Sequence, residues 1–149
     1  DMWRIIGLVF FDEKDYFLTE DKKSFCESRI RSFLIRKGIA VTDSGREVIR
    51  QKDNASDKFL EIVGTIDLSE VLKCLPECEA IVTTGQKATD TLLTMIEAQQ
   101  PGVGQAVEFV HDGRKLRLYR MPSSSRAYPK PLSAKAEEYK KMFQEMGML

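Results

Sequence analysis

The chain has 149 residues, with 42% apolar and 31% charged side chains and a formal net charge of zero. This composition is typical of an ordinary soluble globular protein, and the length suits one domain with a single buried core. No apolar run approaches the roughly 18 residues of a membrane helix, and the first residues lack the layout of a signal peptide, so we expect a protein that is neither membrane-embedded nor secreted.

The chain holds three cysteines, Cys26, Cys74 and Cys78, and a single histidine, His111. An odd number of cysteines without a Cys-x-x-Cys pair does not fit a zinc or iron–sulfur site, which needs about four ligands. We therefore expect no metal, and three reduced thiols rather than a disulfide scaffold.

The first part of the chain predicts an apolar N-terminal segment followed by a helix and a strand. Residues 3–11 are strongly apolar, so we expect a helix or a strand that is covered by another part of a domain beginning further upstream. Apolar residues at helical spacing predict a helix over 20–37 that ends at Gly38. Residues 38–42 are typical of a short buried strand, which ends at Asp43.

The next segment, 44–57, is polar with a turn-like stretch at 52–57, and a helix is predicted over 58–63. The sequence Asp-Leu-Ser-Glu that begins at Asp67 resembles a capping box and predicts a short helix that runs through Cys74. The chain has no internal repeat and no linker, so residues 1–149 are interpreted as one domain.

The clearest unit comprises a buried strand at 80–84, a turn at Gly85 and a helix over 86–96. Two further strands, at 106–110 and 115–119, flank a His-Asp-Gly sequence that is typical of a hairpin turn. Strands that alternate with helices predict an α/β fold, namely a three-layer α/β/α sandwich with a mostly parallel central sheet.

A loop rich in proline and serine follows the last strand, and Ser133 is predicted to cap a final helix. Ligands of open α/β sheets bind at the carboxyl ends of the strands. We therefore expect Asp43, Gly85 and the loop that begins at Met121 to lie at one edge of the sheet, since each comes directly after a predicted strand.

Positive charge is concentrated late in the chain. Between Gly113 and Ala136 there are seven basic residues and no acidic ones: Arg114, Lys115, Arg117, Arg120, Arg126, Lys130 and Lys135. Such a basic block indicates either a site for a polyanion or a solvated basic face, and charge alone leaves both interpretations open.

The most informative stretch is Met-Pro-Ser-Ser-Ser-Arg at 121–126, which we call the serine loop. Ser123, Ser124 and Ser125 offer hydroxyl and backbone N–H donors to phosphate oxygens without bulk. Nearby prolines stiffen the loop, so less entropy is lost on binding, and Arg126 at its tip can pair with a phosphate. A proline- and serine-rich surface loop without a binding role is the alternative that these residues leave open.

Residues 120–127, Arg-Met-Pro-Ser-Ser-Ser-Arg-Ala, follow a strand and lead to the C-terminal helix. This sequence resembles the second signature motif of the uracil-DNA glycosylase superfamily, and its core is most similar to the mismatch-specific thymine/uracil branch. Residues 81–88 resemble the family's strand–glycine–lysine–helix unit. Residues 38–43, followed by 55–57, are similar to the segment after the family's second core strand, particularly in the hypoxanthine-type branch. Residues 2–6 resemble the helix that follows the family's first motif, so the likeness spans nearly the whole chain.

The resemblance implies a DNA-repair enzyme that flips a damaged or mismatched base out of the duplex. Such an enzyme hydrolyses the N-glycosidic bond of uracil, hypoxanthine or mispaired thymine with a water molecule, and it needs no cofactor and no metal. It implies a monomeric, monofunctional glycosylase whose partner is duplex DNA. Its location would be cytoplasmic and nucleoid-associated, or nuclear.

By position in the motif, the resemblance implies that Ser123, Ser124 and Ser125 hold the phosphates around the flipped nucleotide and that Arg126 is the wedge. In the thymine-type pattern the arginine stands one place later, where this chain has Ala127, which leaves the register of the wedge open. Further candidates for contacts with the DNA backbone are Gly85, Lys87 and Lys130. Candidates for the base pocket are Asp43, Ser56 and Asp57.

The family's water-positioning residue lies in a Gly-x-x-Pro motif after its first, central strand. This chain contains no such motif. We therefore expect the catalytic residues upstream of Asp1, together with the first strand of the sheet. Two other functions stay open, namely a catalytically inactive DNA-binding domain of the same fold and an anion- or nucleotide-binding α/β protein.

Overall fold

The computed structural model describes residues 2–41, 45–50, 60–65, 67–125 and 127–149. Its helices α1 to α5 span Met2–Phe11, Glu27–Lys37, Leu68–Lys73, Gln86–Leu93 and Leu132–Glu145. Its strands β1 to β5 span Gly45–Arg50, Leu60–Thr65, Ala80–Thr84, Gln105–His111 and Arg114–Met121. Within these described ranges, no helix has both the length and the apolar character needed to cross a membrane.

The main sheet has the strand order β3-β5-β4, so β5 is its central strand. β3 and β5 are parallel, whereas β4 and β5 form an antiparallel hairpin. The hairpin turn has positive φ at both of its central residues, 51° at Asp112 and 77° at Gly113, as type I′ turns require. The fold is therefore mixed α/β, and the predicted parallel sheet is confirmed in part, by the pairing of β3 with β5.

Apolar side chains of β5 take part in two buried clusters. Tyr119 and Met121 pack with side chains of α1, α2 and α5, whereas Leu116 and Leu118 pack with side chains of α3, α4 and β4. Ile5 of α1 is fully buried, so the apolar N-terminal segment forms a helix that is covered by its neighbours. Each such large side chain stabilises the fold by roughly 1.5–3 kcal/mol on burial.

The strand predicted at 38–42 is wrong for its described part. Gly38 takes φ 69° as the C-cap of α2, and the backbone N–H of Ile39 donates to the Leu34 carbonyl at 2.9 Å. This is the hydrogen bond of a Schellman motif. The N–H group of Ile39 therefore caps α2 and is not available to pair with a neighbouring strand. Asp43 lies outside the described residues.

The helix predicted over 58–63 is wrong where the structure describes it, and β1 lies in the polar segment 44–57, for which no strand was predicted. The turn predicted over 52–57 lies outside the described residues. β2 occupies the described part of the predicted helix, and it pairs with β1 antiparallel. A six-residue helix falls well short of the roughly 12 residues at which an isolated helix becomes marginally stable. Strand pairing instead satisfies the backbone of both segments at once.

Two helices are shorter than predicted. The helix expected over 20–37 begins only at Glu27, because the residues before it form a turn in which the Thr19 N–H donates to the Ser24 carbonyl at 2.9 Å. α4 begins as predicted but ends at Leu93, three residues earlier than the apolar spacing indicates.

The two predicted helix caps have different outcomes. The carboxylate of Asp67 accepts from the Glu70 N–H at 3.2 Å, which confirms Asp67 as the N-cap of α3, while the Glu70 carboxylate pairs with Lys73 at 3.1 Å. The prediction for Ser133 is wrong, because Pro131 is the N-cap residue of α5 and Ser133 lies inside the helix. The fixed φ of proline already suits the start of a helix.

Arg114, the first basic residue of the block, is committed to the interior of the fold. Its guanidinium donates to four backbone carbonyls, those of Leu72 at 2.8 Å, Leu75 at 3.1 Å, Pro76 at 3.2 Å and Cys78 at 2.8 Å. These contacts gather carbonyls at and beyond the end of α3, where the Leu72 and Leu75 carbonyls also accept from the N–H groups of Leu75 and Cys78, and they join that end to the hairpin.

We predict that Arg114→Lys destabilises the protein by about 2–3 kcal/mol, since an ammonium group cannot reach four carbonyls in the planar geometry of a guanidinium. Urea unfolding followed by circular dichroism measures the change. Lys115→Ala is the matched control, because Lys115 is exposed and pairs only across the surface with Glu108 at 3.5 Å. Equal, small effects of the two substitutions would contradict the assigned role of Arg114.

Candidate nucleic-acid interface

The carboxyl ends of β3 and β5 meet at one edge of the sheet. Their parallel register places Thr84 beside Met121, and the backbone N–H of Gly85 donates to the Met121 carbonyl at 3.0 Å. The predicted meeting of Gly85 and the serine loop is therefore confirmed. The predicted site residues outside the described part of the chain are Asp43, Ser56, Asp57 and Arg126.

Gly85 lets the serine loop approach the backbone between β3 and α4. Its φ of 93° and ψ of 170° lie in a region that only glycine occupies without strain. A Cβ atom on Gly85 would lie 3.3 Å from the Cβ atom of Ser123. The loop is thus packed against this turn, and it can approach so closely because Gly85 has no side chain.

Two buried threonines hold the same turn from beneath, and sequence reasoning missed both. Thr89 donates its hydroxyl proton to the Gly85 carbonyl at 2.8 Å, and the Thr83 and Thr89 hydroxyl oxygens are 2.8 Å apart. Because Thr89 has a single hydroxyl proton, the proton of the second bond comes from Thr83, whose hydroxyl also lies 3.4 Å from the Tyr119 carbonyl. A threonine in an apolar strand or helix gives no local signal of such a pair, which only the packing of α4 on β3 creates.

The serine loop is folded on itself by two short contacts. The hydroxyl oxygen of Ser123 accepts from the Ser125 N–H, and that of Ser125 accepts from the Ala127 N–H, both at 3.2 Å. A serine oxygen that accepts a hydrogen bond keeps its own proton as a donor. Ser123 and Ser124 are half-buried and Ser125 is exposed, so the loop can offer hydroxyl donors to a ligand at its outer face.

α5 supports the serine loop from the interior. The buried phenol of Tyr139 donates to the Pro122 carbonyl at 2.8 Å. Burial, followed by the negative charge of Glu138, raises the pKa of Tyr139 well above its ordinary value, so the phenol keeps the proton that it donates. Sequence reasoning treated Tyr139 only as part of a helix, because its partner lies 17 residues away.

The N-terminus of α4 lies at the same edge as the serine loop. Gly85, its N-cap residue, has no side chain that could cap the helix, and the first backbone N–H groups of a helix have no helical partner. These groups form the positive end of the helix dipole. Lys87, a predicted DNA contact, is the second residue of α4 and is exposed.

The basic block does not form one free surface in the described part of the chain. Lys130, predicted to contact DNA, has its ammonium group 2.9 Å from a carboxylate oxygen of Glu138. Arg120 donates to the Pro101 carbonyl at 3.1 Å and to the side chain of Gln86. The density of positive charge in the sequence therefore overstates what is available to a polyanion, because several of these cations have partners within the fold.

His111 lies away from this edge. It ends β4 beside the hairpin turn, at the amino end of β5, whereas the serine loop follows the carboxyl end. Its Nε2 atom is 3.1 Å from the Ser69 hydroxyl and 3.5 Å from an Asp112 carboxylate oxygen. In the ranges that the structure describes, no three histidine, cysteine or acidic side chains come together as a metal site.

Comparison of the chain with protein-family models, with curated proteins and with solved structures finds no match. The resemblance of the serine loop to the second motif of the uracil-DNA glycosylase superfamily stays a prediction.

We predict that Gly85→Ala destabilises the protein by about 1–3 kcal/mol, because alanine is strained at this backbone conformation and its Cβ would crowd Ser123. Gly113→Ala is the control, since Gly113 also has positive φ but open space around it. Urea unfolding compares the two. A cost for Gly85→Ala no larger than that for Gly113→Ala would contradict close packing of the loop on this turn.

We predict that Tyr139 makes the protein sensitive to alkaline pH. Its pKa is raised in the folded state, so the unfolded phenol ionises first, at its ordinary value of 10.0. The stabilisation is complete below pH 10 and falls above it by about 1.4 kcal/mol per pH unit.

Tyr139→Phe removes this titration together with the hydrogen bond to Pro122, which is worth about 1 kcal/mol. The difference in unfolding free energy between the native protein and this variant should therefore shrink as the pH rises above 10. Urea unfolding at a series of pH values from neutral upward measures it. A difference that stays constant would exclude the buried, protonated phenol.

Proposed function

We propose that this chain is the DNA-gripping part of a glycosylase domain that hydrolyses the N-glycosidic bond of a flipped uracil, hypoxanthine or mispaired thymine. The observation that carries the proposal is the position of the serine loop. It lies at the carboxyl edge of two parallel strands, packed against Gly85 and beside the N-terminus of α4. Ligands of α/β sheets bind at this edge.

The chemistry of the edge suits a phosphate. Ser123, Ser124 and Ser125 supply small hydroxyl donors, and α4 supplies backbone N–H groups at its positive end. The exposed Lys87 adds a cation that can reach the DNA backbone. Phosphate oxygens only accept hydrogen bonds, so an edge rich in donors suits them. The absence of a side chain at Gly85 leaves room for the phosphate to approach.

A flipped nucleotide requires a rigid grip on its backbone. Unstacking a base costs a few kcal/mol, which the contacts to the flanking phosphates must offset. The serine loop is held by Gly85 on one side and by Tyr139 on the other, so little entropy is lost when it binds. In the proposed arrangement Arg126 enters the gap left by the base.

We propose that the complete domain is a three-layer α/β/α sandwich with one more parallel strand beside β3. Alternate side chains of β5 contribute to separate clusters with α1 and α5 and with α3 and α4, which supports helices on both faces. Within the described residues β3 pairs with β5 alone. A groove of about 810 Å³ runs past β3, lined by apolar side chains that include Trp3, Ile39, Val82 and Met142.

A parallel strand in this groove would end at the same edge as the serine loop. A water-positioning residue at the end of such a strand would then share this edge with the serine loop. Bond cleavage develops positive charge on the sugar and negative charge on the departing base, so the site needs a positioned water and donors to the base. The base pocket in this proposal includes Asp43, Ser56 and Asp57.

We predict that the full-length protein releases free base from duplexes containing uracil, hypoxanthine or a mispaired thymine. Chromatography of the released base measures activity, and fluorescence anisotropy measures duplex binding. Binding without release for all three duplexes would indicate an inactive DNA-binding domain. Absence of binding at low salt would overturn the proposal in favour of an anion- or nucleotide-binding protein.

Replacing Ser123, Ser124 and Ser125 together by alanine should weaken duplex binding at least about tenfold, since each hydroxyl–phosphate hydrogen bond contributes roughly 1–2 kcal/mol. Ser32→Ala, on the exposed side of α2, is the matched control and should bind like the native protein. Equal affinity of the triple variant and the control would exclude the serine loop as the grip.

A further inference from the structure

Lys135 is one of the few polar residues buried in the described part of the chain, with 2% of its surface exposed. Lysine is almost never buried to this extent without a partner. Its ammonium group donates to the Ser125 carbonyl at 2.7 Å and lies 5.5 Å from the centre of the Tyr128 ring. Lys135 therefore lies directly beneath the serine loop.

The ammonium group of Lys135 has no ion-pair partner in the part of the chain that the structure describes. A carbonyl and an aromatic ring stabilise a cation only through their dipole and quadrupole. A buried, uncompensated positive charge attracts an anion across a short distance, because the surrounding medium screens it poorly.

α5 contacts the loop region at three points from one face. Lys135, Glu138 and Tyr139 are spaced i, i+3 and i+4, so they lie on the same side of the helix. They contact Ser125, Lys130 and Pro122 respectively. Among these three contacts, the one made by Lys135 places a positively charged group directly on a serine of the loop, Ser125.

We propose that Lys135 is a positioning residue for phosphate binding. It fixes the Ser125 carbonyl inward, so that the serine donors face outward, and its charge acts on the bound phosphate through the loop. This inference rests on the proposed function, because it takes the phosphate to be that of a DNA backbone. It adds a buried charge to that of the exposed Lys87 in the electrostatic part of the grip.

The salt dependence of duplex binding tests this role. Lys135→Met removes the charge and keeps an unbranched apolar side chain, so the fold should persist, as urea unfolding checks. We expect affinity to fall about tenfold at low salt, and the slope of log affinity against log salt to decrease in magnitude by up to about 0.9. Lys135→Arg keeps the charge and should keep the native slope.

Tyr139→Phe is the matched control, because it removes another contact of the same loop without changing charge. It should weaken binding while leaving the salt slope unchanged. A native slope for Lys135→Met would overturn the proposal, whatever the change in affinity, since a purely structural role would loosen the loop as Tyr139→Phe does.

A second readout separates this inference from the proposed function. If the native protein binds no duplex, the proposed function fails, and inorganic phosphate becomes the probe. Phosphate should then raise the Tm of the native protein and of Tyr139→Phe, but raise that of Lys135→Met less. Equal Tm shifts in all three proteins, or no shift in any, would overturn the role of Lys135.

Discussion

The parallel pairing of β3 with β5 is the constraint on which the candidate site depends. Parallel strands end at the same edge of a sheet, so two segments 36 residues apart in sequence are brought together there, Gly85 and the serine loop after Met121. The hydrogen bond from Gly85 to Met121 continues the ladder for one residue beyond β3. Beyond this point the chain continues into α4 after Gly85 and into the serine loop after Met121, and the two lie in contact at Gly85 and Ser123.

Polar groups beneath this edge make it rigid. The paired hydroxyls of Thr83 and Thr89 hold the turn at Gly85, and α5 holds the loop through Lys135 and Tyr139. Each of these buried groups has a partner, as burial requires. The result is a loop whose backbone is fixed from the interior while its serines stay partly accessible, which lowers the entropy lost if the loop binds a ligand.

The predictions for local structure succeed where a segment carries several consistent signals and fail where it carries one. The strand–glycine–helix unit at 80–93 combines an apolar run, a glycine and helical periodicity, and its existence is confirmed. Residues 38–42 offer only a short apolar run, and the described part serves as the cap of α2 instead. Short apolar segments do not distinguish helix, strand and cap, because their partners decide which hydrogen bonds form.

The sequence by itself determined the mixed α/β class, the hairpin turn at Asp112 and Gly113, the glycine at the end of β3 and the serine loop as the candidate site. These features depend on backbone preferences and residue chemistry that act over a few neighbours. Tertiary structure alone decided which basic residues are available and which side chains support the loop. Arg114 and Lys135 belong to the same basic block in the sequence, yet one binds carbonyls beyond α3 and the other lies under the serines. Such roles depend on contacts between distant segments, which local patterns do not record.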